Sequence, residues 1–393
     1  MNNLKKFETE AKYQAWKDGD DYVFPNICKV GEEVVYNNYP DPFWIEALED
    51  VTVRFTNNWQ NTSLVGEWSF DKTTWTKFSS EVTVRTGQKL YFRYTKNTGE
   101  RRLWVSGKYN VGGSILSLVY GADYLMYDTH SINIFYYLFS EAKKVVNAKY
   151  LVLATKMQSS ASNSEGMYYN LFSGCSLLET PPRLPRTPLG SYCYANMFFG
   201  CSSLTKAPSL LATTSDTSSS RWGYYNEMFR GCSKLSYIKM LFPSGAFQNN
   251  DSTGDWTRYW VSGVASTGTF IASSKRTSFT RGVHGIPEGW DLYLYDEEND
   301  RYVVKFKVNN IPYEMYTDEP RNVTWEEFIE SEHNTNGLQK GQWDTTSGRW
   351  YVRTAQLTDG LYVLLDNNPV FTSTKIVLNA SYTIGKLTAT TEE

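Results

Sequence analysis

The chain has 393 residues, which is too long for one ordinary hydrophobic core, so two to four domains are expected. Its hydrophobic fraction of 41% and charged fraction of 21% are typical of a folded protein and exclude disorder of the whole chain. Lys and Arg number 39 against 42 Asp and Glu, without a long block of either sign. Such a charge distribution argues against a nucleic-acid partner, whose binding requires clustered cations.

Residues 1–44 predict a small amino-terminal module. A helix is expected over residues 8–16, ending at Asp18-Gly19, and short strands follow that finish with the sequence EEVVYNN. The first residues are basic but lack the apolar stretch of a secretion signal, and the sequence contains no run of about 20 apolar residues that would cross a bilayer. We therefore expect synthesis in a cytoplasm without Sec-type export, and no membrane insertion.

Residues 45–118 predict a β-sandwich-like domain. Segments rich in β-branched and aromatic residues alternate there with turn signals, as in VTVRFTNN, SLVGEWSFD, WTKFSSEVTV and KLYFRYT. Several short strands at this spacing are typical of antiparallel all-β domains.

Residues 300–393 predict a compact α+β domain. The strands VVKFKV and PYEMYT precede a helix that is expected to run from Trp325 to about Glu332, and further strands follow. Thr324 and, three residues later, Glu327 form a capping box, which favours a helix start at this point.

Four segments between residues 118 and 300 share one pattern. With an anchoring Phe as position zero, position −4 is aromatic, position −1 is Leu or Met, position +6 is Val or Leu, and position +12 is Leu. The anchors are Phe139, Phe172, Phe198 and Phe229. Agreement at four offsets predicts a structural repeat, and a copy this short must stack on its neighbours to bury its apolar face.

Each copy is expected to be a short helix followed by an extended segment. Positions −4, −1 and 0 lie on one helical face, and the Gly-Cys pair that follows in three copies fits a helix stop. The first copy has Glu141-Ala142 instead, as in a capping repeat, and the later sequences WVSGVASTGTFIASS and GIPEGW are expected to close the far end. The predicted fold class is mostly β, with an α/β solenoid over residues 119–295.

Two long inserts, Met157–Gly166 and Thr213–Trp222, separate copies and leave the same edge of the predicted array. Variable loops on one edge of a regular scaffold are common recognition sites, although tolerated slack in the chain is the alternative interpretation. Trp222 and Tyr224 are expected to be the most exposed of the candidate ligand-binding side chains. The candidates are Tyr168, Tyr169, Tyr192, Trp222 and Tyr224.

Catalytic, cofactor and metal sites are not indicated by the sequence. The three histidines lie in different predicted regions, the five cysteines lack metal-ligand spacing, and phosphate-binding glycine motifs are absent. The Cys of each Gly-Cys pair is expected to be a buried filler rather than a nucleophile. Carboxylates that a glycosidase would need fall at unrelated repeat offsets, namely Glu165, Glu179, Asp216 and Glu227. We therefore expect a protein that is not an enzyme and uses no cofactor.

The repeated pattern, with its aromatic, MFxGCSSL and APxL elements, resembles the BspA-like leucine-rich-repeat proteins of gut Bacteroidota and their phages over about residues 119–295. The opening LKKFETEAKYQAW with PNICKVGEEVVYNN looks like the amino-terminal attachment segments of fibre and appendage proteins of such phages. TWEEFIESEHNTNG is similar to small modules appended to the same proteins. The resemblance implies a virion component: a head or tail fibre or a decoration protein.

This resemblance also implies partners. The amino-terminal module would bind other virion proteins, and the outward-facing domains would bind a host cell-surface glycan or protein, with weak contacts multiplied in a homo-oligomer. A purely structural virion protein that binds neighbouring capsid or tail subunits is the first alternative. A bacterial surface adhesin or glycan hydrolase is the second.

Overall fold

The structure, a computed structural model, is mostly β and contains several sheets, which confirms the predicted class at that level. The chain forms two compact units: residues 1–270 with 278–291, and residues 271–277 with 292–393. The structure describes residues 4–7, 26–30, 34–57, 66–78, 81–94, 101–127, 135, 137–154, 166–185, 192–211, 223–241, 256–276, 279–308, 311–334, 342–344, 349–352, 363–365, 378, 381–382 and 384–386.

The first unit consists mainly of short strands. A short helix, α1 (Ser117–Tyr120), and a 3₁₀ helix (Gly121–Met126) precede its longest strand. In chain order the strands are β1 (Leu4–Phe7), β2 (Asn26–Val30), β3 (Val34–Asn38), β4 (Trp44–Ala47), β5 (Val51–Asn57), β6 (Gly66–Ser69), β7 (Thr76–Lys77), β8 (Val82–Val84), β9 (Lys89–Tyr94), β10 (Arg101–Val105), β11 (Tyr109–Ser114), β12 (Val145–Val152) and β13 (Tyr237–Met240). Strands β14 (Gly268–Ser273) and β15 (Trp290–Asp296) contain the boundaries between the units.

Strands β1 to β12 form sheets with the orders β1-β2-β3, β10-β5-β8 and β12-β11-β4-β9-β6-β7. The last sheet is antiparallel except for β11 and β12, which run parallel. Parallel neighbours need a crossover connection, and the chain between β11 and β12 supplies one through the helices and the first repeat. The predicted strand segments coincide with β5, β6, β8 and β9. The helix predicted over residues 8–16 lies outside the described residues.

Strand β11 contains Gly112-Gly113, which weakens its sequence signal, and the structure shows why a glycine is needed there. A Cβ atom on Gly112 would lie 2.1 Å from a ring carbon of Trp44, in the paired strand β4. Glycine within a strand often marks such a close approach. The indole of Trp44 therefore lies against the backbone of β11.

The core of the first unit joins the sheet to the repeats. Leu90, Phe92 and Tyr94 alternate along β9 and are buried. The ring of Phe43 lies 5.9 Å from the ring of Phe92 and 6.0 Å from that of Phe139, the anchor of the first repeat. The first repeat therefore packs on the sheet through aromatic rings.

Ser117 ties α1 to the same core. Its Oγ accepts a hydrogen bond from the backbone N–H of Phe43 at 2.8 Å and donates one to the carbonyl of Phe92 at 2.9 Å. The serine side chain is fully buried. A buried backbone donor and a buried acceptor both depend on this hydroxyl.

Replacing Ser117 by Ala is expected to lower the free energy of unfolding by about 3 kcal/mol, because two buried backbone groups lose a hydrogen-bond partner. Urea denaturation of the full chain measures the change. Ser106→Ala is the matched control, since Ser106 Oγ also accepts a backbone N–H, from Thr52 at 2.8 Å, but in an exposed position. The control is expected to cost less than about 1 kcal/mol; equal losses would contradict the assigned role of Ser117.

The second unit contains strands around a short helix. Its elements are the end of β14, β15 from Leu292 onward, β16 (Arg301–Val308), β17 (Ile311–Thr317), helix α2 (Trp325–Glu330), β18 (Gln342–Asp344), β19 (Arg349–Val352), β20 (Val363–Leu365), β21 (Ser381–Tyr382) and β22 (Ile384–Lys386). Strand β16 pairs antiparallel with β15 and β17 and parallel with β21. Strands β18, β19, β20 and β22 form an antiparallel sheet in that order.

The capping box predicted for α2 is present in full. Thr324 Oγ1 accepts the backbone N–H of Glu327 at 3.2 Å, and Glu327 Oε2 accepts the backbone N–H of Thr324 at 2.8 Å. The helix then places Phe328 against the rings of Phe306 and Tyr313, at 5.0 and 4.9 Å between centroids. The predicted helix is thus confirmed, with its end at Glu330.

The helix predicted within each repeat is wrong. Residues at position −2 of the four copies have left-handed backbone angles: Tyr137, Asn170, Asn196 and Glu227 have φ values of 56°, 55°, 54° and 51°. Residues at position +2 also have positive φ, so the left-handed conformation recurs every fourth residue. A right-handed helix requires negative φ throughout. Each copy instead forms consecutive turns, which bring positions −4, −1 and 0 to the interior as a helix would.

Candidate functional site

The anchoring phenylalanines occupy equivalent positions. Phe139, Phe172, Phe198 and Phe229 are all fully buried. Their rings stack in sequence, with centroid distances of 4.8, 5.8 and 5.8 Å and interplanar angles of 9°, 7° and 4°. The residues at positions −1 and +6 of all four copies are also fully buried. The anchoring residues of successive copies therefore stack directly on one another.

Backbone hydrogen bonds join each copy to the next. In the second copy, the N–H groups at positions −4, −2, 0 and +2 donate to carbonyls at positions −5, −3, −1 and +1 of the third, over 2.7 to 3.1 Å. An example is the bond from Phe172 N–H to the carbonyl of Met197, at 2.9 Å. Alternate N–H groups bond within the copy, as that of Leu171 does to the carbonyl of Tyr168. This alternation of local and intercopy bonds explains the turn geometry.

A fifth copy follows the four that the sequence pattern identifies. The N–H groups of Phe229 and Gly231 donate to the carbonyls of Trp260 and Ser262, each at 2.8 Å, as between earlier copies. Residues 256–264 therefore continue the array. The sequence pattern does not reveal this copy, because position zero is Val261 and the large ring, Trp260, stands one residue earlier.

Within the described part of the chain, residues outside the array bond to the copies at both ends of this ladder of intercopy hydrogen bonds. At the first copy, Leu103 N–H in β10 donates to the carbonyl of Leu138, at 3.0 Å. At the fifth copy, Tyr259 N–H donates to His284 Nδ1 at 3.0 Å, and Trp260 Nε1 donates to the carbonyl of Gly285 at 2.8 Å. His284 is thus an end cap, because its ring nitrogen satisfies a backbone donor that has no further copy to bond.

The cysteines at position +3 form a column inside the array. The thiols of Cys175, Cys201 and Cys232 each donate to the carbonyl of the anchoring Phe in the preceding copy, at 3.0, 3.2 and 3.0 Å. All three are fully buried, which confirms the prediction of buried fillers. Burial raises the pKa of each thiol, that of Cys232 to about 12, so the thiolate form is disfavoured.

We expect Cys175, Cys201 and Cys232 to resist alkylation by iodoacetamide in the folded protein at pH 8, because the reactive thiolate is both inaccessible and disfavoured by the raised pKa. Mass spectrometry of peptides, before and after unfolding in guanidinium chloride, measures the modification of each site. Ser266→Cys, at an exposed position, supplies a reactive control. Labelling of the three native thiols at the rate of this control would contradict the buried column.

The tyrosines at position −4 form a second column. The rings of Tyr168, Tyr194 and Tyr225 stack with centroid distances of 6.1 and 6.0 Å. The hydroxyl of Tyr168 accepts the backbone N–H of Ala154 at 2.7 Å. The buried hydroxyl of Tyr194 finds no hydrogen-bond partner among the described residues. Tyr168 and Tyr194 occupy equivalent positions in their copies, but their hydroxyl groups differ in hydrogen bonding.

Tyr168→Phe is therefore expected to lower stability, and Tyr194→Phe is not. The first leaves the buried N–H of Ala154 unpaired and should cost about 2 kcal/mol of unfolding free energy. The second removes a buried hydroxyl without a partner and should leave stability unchanged or raise it by about 1 kcal/mol. Urea denaturation of both variants measures the difference. A loss at Tyr194 as large as that at Tyr168 would show that its hydroxyl is bonded.

The structure describes four of the five candidate ligand-binding residues, and these four differ in exposure. Tyr168 and Tyr224 are fully buried, and the ring of Tyr224 meets that of Trp256 edge-on at 4.8 Å. The expectation that Tyr224 is exposed is therefore wrong, because position −5 faces the interior. Tyr169 and Tyr192 are half-buried. Trp222 and nearly all of both inserts lie outside the described residues.

Three side chains that the sequence pattern did not single out stand out from the stacked copies. Phe199 and Arg230, both at position +1, and Tyr259, at position −2, are exposed on three successive copies. The earlier copies have Ser140 and Ser173 at position +1. A large side chain where other copies carry serine is the signal that could have found Phe199 and Arg230, and it does not extend to Tyr259.

The structure describes two of the four carboxylates considered for glycoside cleavage. Glu179 is exposed, and Glu227 pairs with Arg230 at 2.9 Å between Oε2 and Nη1. Glu165 and Asp216 lie outside the described residues. Within the described part of the chain, no three His, Cys, Asp or Glu side chains converge as a metal site would require.

No α-helix in the described ranges has the length and apolar character needed to traverse a bilayer. Comparisons of the chain with protein-family models, with curated proteins and with solved structures find no match.

Proposed function

We propose that the chain is a phage virion surface appendage, a head or tail fibre or a decoration protein, that binds a host cell-surface glycan or protein. In this proposal residues 119–295 form a leucine-rich-repeat solenoid of the BspA-like type. The solenoid follows a β-sandwich-like domain (45–118) and precedes an α+β domain (300–393). The amino-terminal module (1–44) attaches the protein to other virion proteins.

One observation carries the proposal: five stacked copies are joined by backbone hydrogen bonds, and the terminal copies are covered. The thiols of Cys175, Cys201 and Cys232, the candidate nucleophiles of the array, are buried and bonded to backbone carbonyls. The array presents to solvent a surface whose backbone is held by regular hydrogen bonds between copies. Rigid elements hold binding side chains in fixed positions, which suits recognition.

Attachment to a particle would strengthen the weak binding of a single protein molecule. Several molecules on one virion would bind a cell surface together, so the apparent affinity exceeds that of each binding site. We therefore infer a homo-oligomer on the virion, assembled in the host cytoplasm and facing outward. Nucleic acid is not a partner in this proposal.

A purely structural virion protein is the alternative, and a separate observation favours it. Leu125, Met126 and Tyr127 are consecutive and exposed, Met126 to 81%. Exposed apolar clusters often mark contacts between proteins. Such a cluster on the first unit would suit a neighbouring capsid or tail subunit.

Deletion of residues 46–393 from the phage gene tests the two functions. If the protein is a receptor-binding appendage, particles assemble normally, retain residues 1–45 and lose adsorption to host cells. Negative-stain microscopy counts the particles, and a residual-titre assay measures adsorption. A variant with Met126→Glu alone is the control, since it changes the exposed apolar cluster and leaves the repeats intact.

Failure of the deleted phage to assemble would favour the structural alternative instead. Absence of the protein from purified particles, measured by mass spectrometry with an antibody label as a second method, would overturn both virion functions. Release of sugar from host polysaccharide by the purified chain would favour a glycan hydrolase.

A further inference from the structure

Three side chains form an exposed strip across the third, fourth and fifth copies: Phe199, Arg230 and Tyr259, here called the aromatic-arginine strip. Phe199 is 37% exposed, Tyr259 39%, and the Arg230 side chain 47%. The Arg230 Cζ lies 5.8 Å from the centroid of Phe199 and 6.0 Å from that of Tyr259. A guanidinium thus stands between two solvent-facing rings.

Two guanidinium groups and one carboxylate lie in or beside the aromatic-arginine strip. Arg258 is exposed, and its Cζ lies 5.7 Å from the ring of Tyr259, so two guanidinium groups border that ring. One carboxylate, Glu227, engages Nη1 of Arg230 at 2.9 Å. A guanidinium has five N–H donors, so donors remain for an incoming carboxylate. The Glu227 contact also orients the guanidinium.

The backbone under the strip is fixed before any ligand binds. Phe199 belongs to the intercopy ladder, since its carbonyl accepts the N–H of Gly174 at 2.7 Å. Tyr259 donates its N–H to His284 Nδ1, and the two rings lie 4.6 Å apart. Binding to a preorganised surface loses little conformational entropy. The backbone positions that carry the two rings are therefore held at the spacing of their copies.

We propose that the aromatic-arginine strip binds an acidic glycan. Phe199 and Tyr259 supply rigid contact area for the apolar faces of sugar rings, and Arg230 between them binds a carboxylate of the glycan through paired N–H donors. This inference rests on the proposed recognition function and assigns it a site on the turns rather than on the two inserts. It also names the ligand class.

A glycan suits the strip better than a protein partner does. The strip is narrow, and the neighbouring positions Ser173, Ser262 and Asn196 are half-buried and polar. A stable protein interface covers about 800 Å² on each partner, usually around a larger apolar centre. Two rings with one guanidinium between them provide contact for a short row of sugars, and small polar neighbours do not obstruct a linear chain.

Binding of the purified full chain to immobilised oligosaccharides tests the proposal. The panel contains uronate- and sialate-containing oligosaccharides, each beside its carboxyl-reduced neutral form. We expect at least one acidic member to bind about tenfold or more tightly than its neutral form, since a charged hydrogen-bonded pair is lost on reduction. The preference is expected to shrink as NaCl rises, because the guanidinium is exposed.

Variants locate the site. Arg230→Gln is expected to remove the preference for the acidic form, Arg230→Lys to retain part of it, and Phe199→Ala to weaken acidic and neutral forms alike. Arg54→Gln and Trp104→Ala are matched controls. The Arg54 Cζ lies 4.8 Å from the Trp104 ring, and both side chains are similarly exposed, at 44% and 47%, but outside the repeats. Neither control should alter binding.

Each result has one interpretation. Equal binding of acidic and reduced forms across the panel, or an acidic preference that survives Arg230→Gln, overturns the proposed site. The wild-type comparison and the salt series decide the question even if a variant fails to fold. If the chain binds host cells through a protease-sensitive receptor and ignores the panel, the glycan proposal fails while the surface-binding function stands. Binding to neither cells nor panel contradicts both.

Discussion

Hydrogen bonding between the backbones of successive copies is the constraint on which the repeat region depends. Every second N–H of a turn segment bonds to the next copy, which a helix does not permit because its interior N–H groups bond within the helix. The left-handed residues at positions −2 and +2 follow from that alternation. The same geometry directs Phe, Tyr and Cys columns inward, while position +1 is exposed in the third and fourth copies. Interior packing and outward presentation are consequences of one backbone pattern.

The interior of the array could be predicted from sequence because its identities recur. Burial restricts positions −4, −1, 0, +6 and +12 to apolar residues, so the pattern is visible without coordinates. The capping box at Thr324 and the strands around Leu90 were predictable for similar reasons: local hydrogen bonding and alternation need no distant partner. The capping box and the strand alternation each depend on residues that lie a few positions apart in the sequence.

Other features depend on partners far along the chain and were not predictable. Glu227 favours a left-handed conformation no more than most residues, and adopts it because its N–H donates to the backbone carbonyl of Arg258 in the next copy. Strand β11 contains two glycines, and Gly112 is explained only by the indole of Trp44. The fifth copy lacks the anchoring Phe. The aromatic-arginine strip takes residues from two different offsets, so no single periodic signal marks it, and only exposure and ring distances join Tyr259 to Phe199 and Arg230.

The polarity of the ladder limits how the array can change in length. The two terminal copies present different backbone groups. A carbonyl of the first copy needs a donor, which Leu103 supplies, and an N–H of the fifth copy needs an acceptor, which His284 supplies. Their covers are therefore not interchangeable. Whole copies inserted between them would meet matching groups on both sides, whereas a partial copy would leave some backbone donors and acceptors of its neighbours unpaired. Evolution of a longer or shorter array is thus restricted to steps of one complete repeat, with both covers retained.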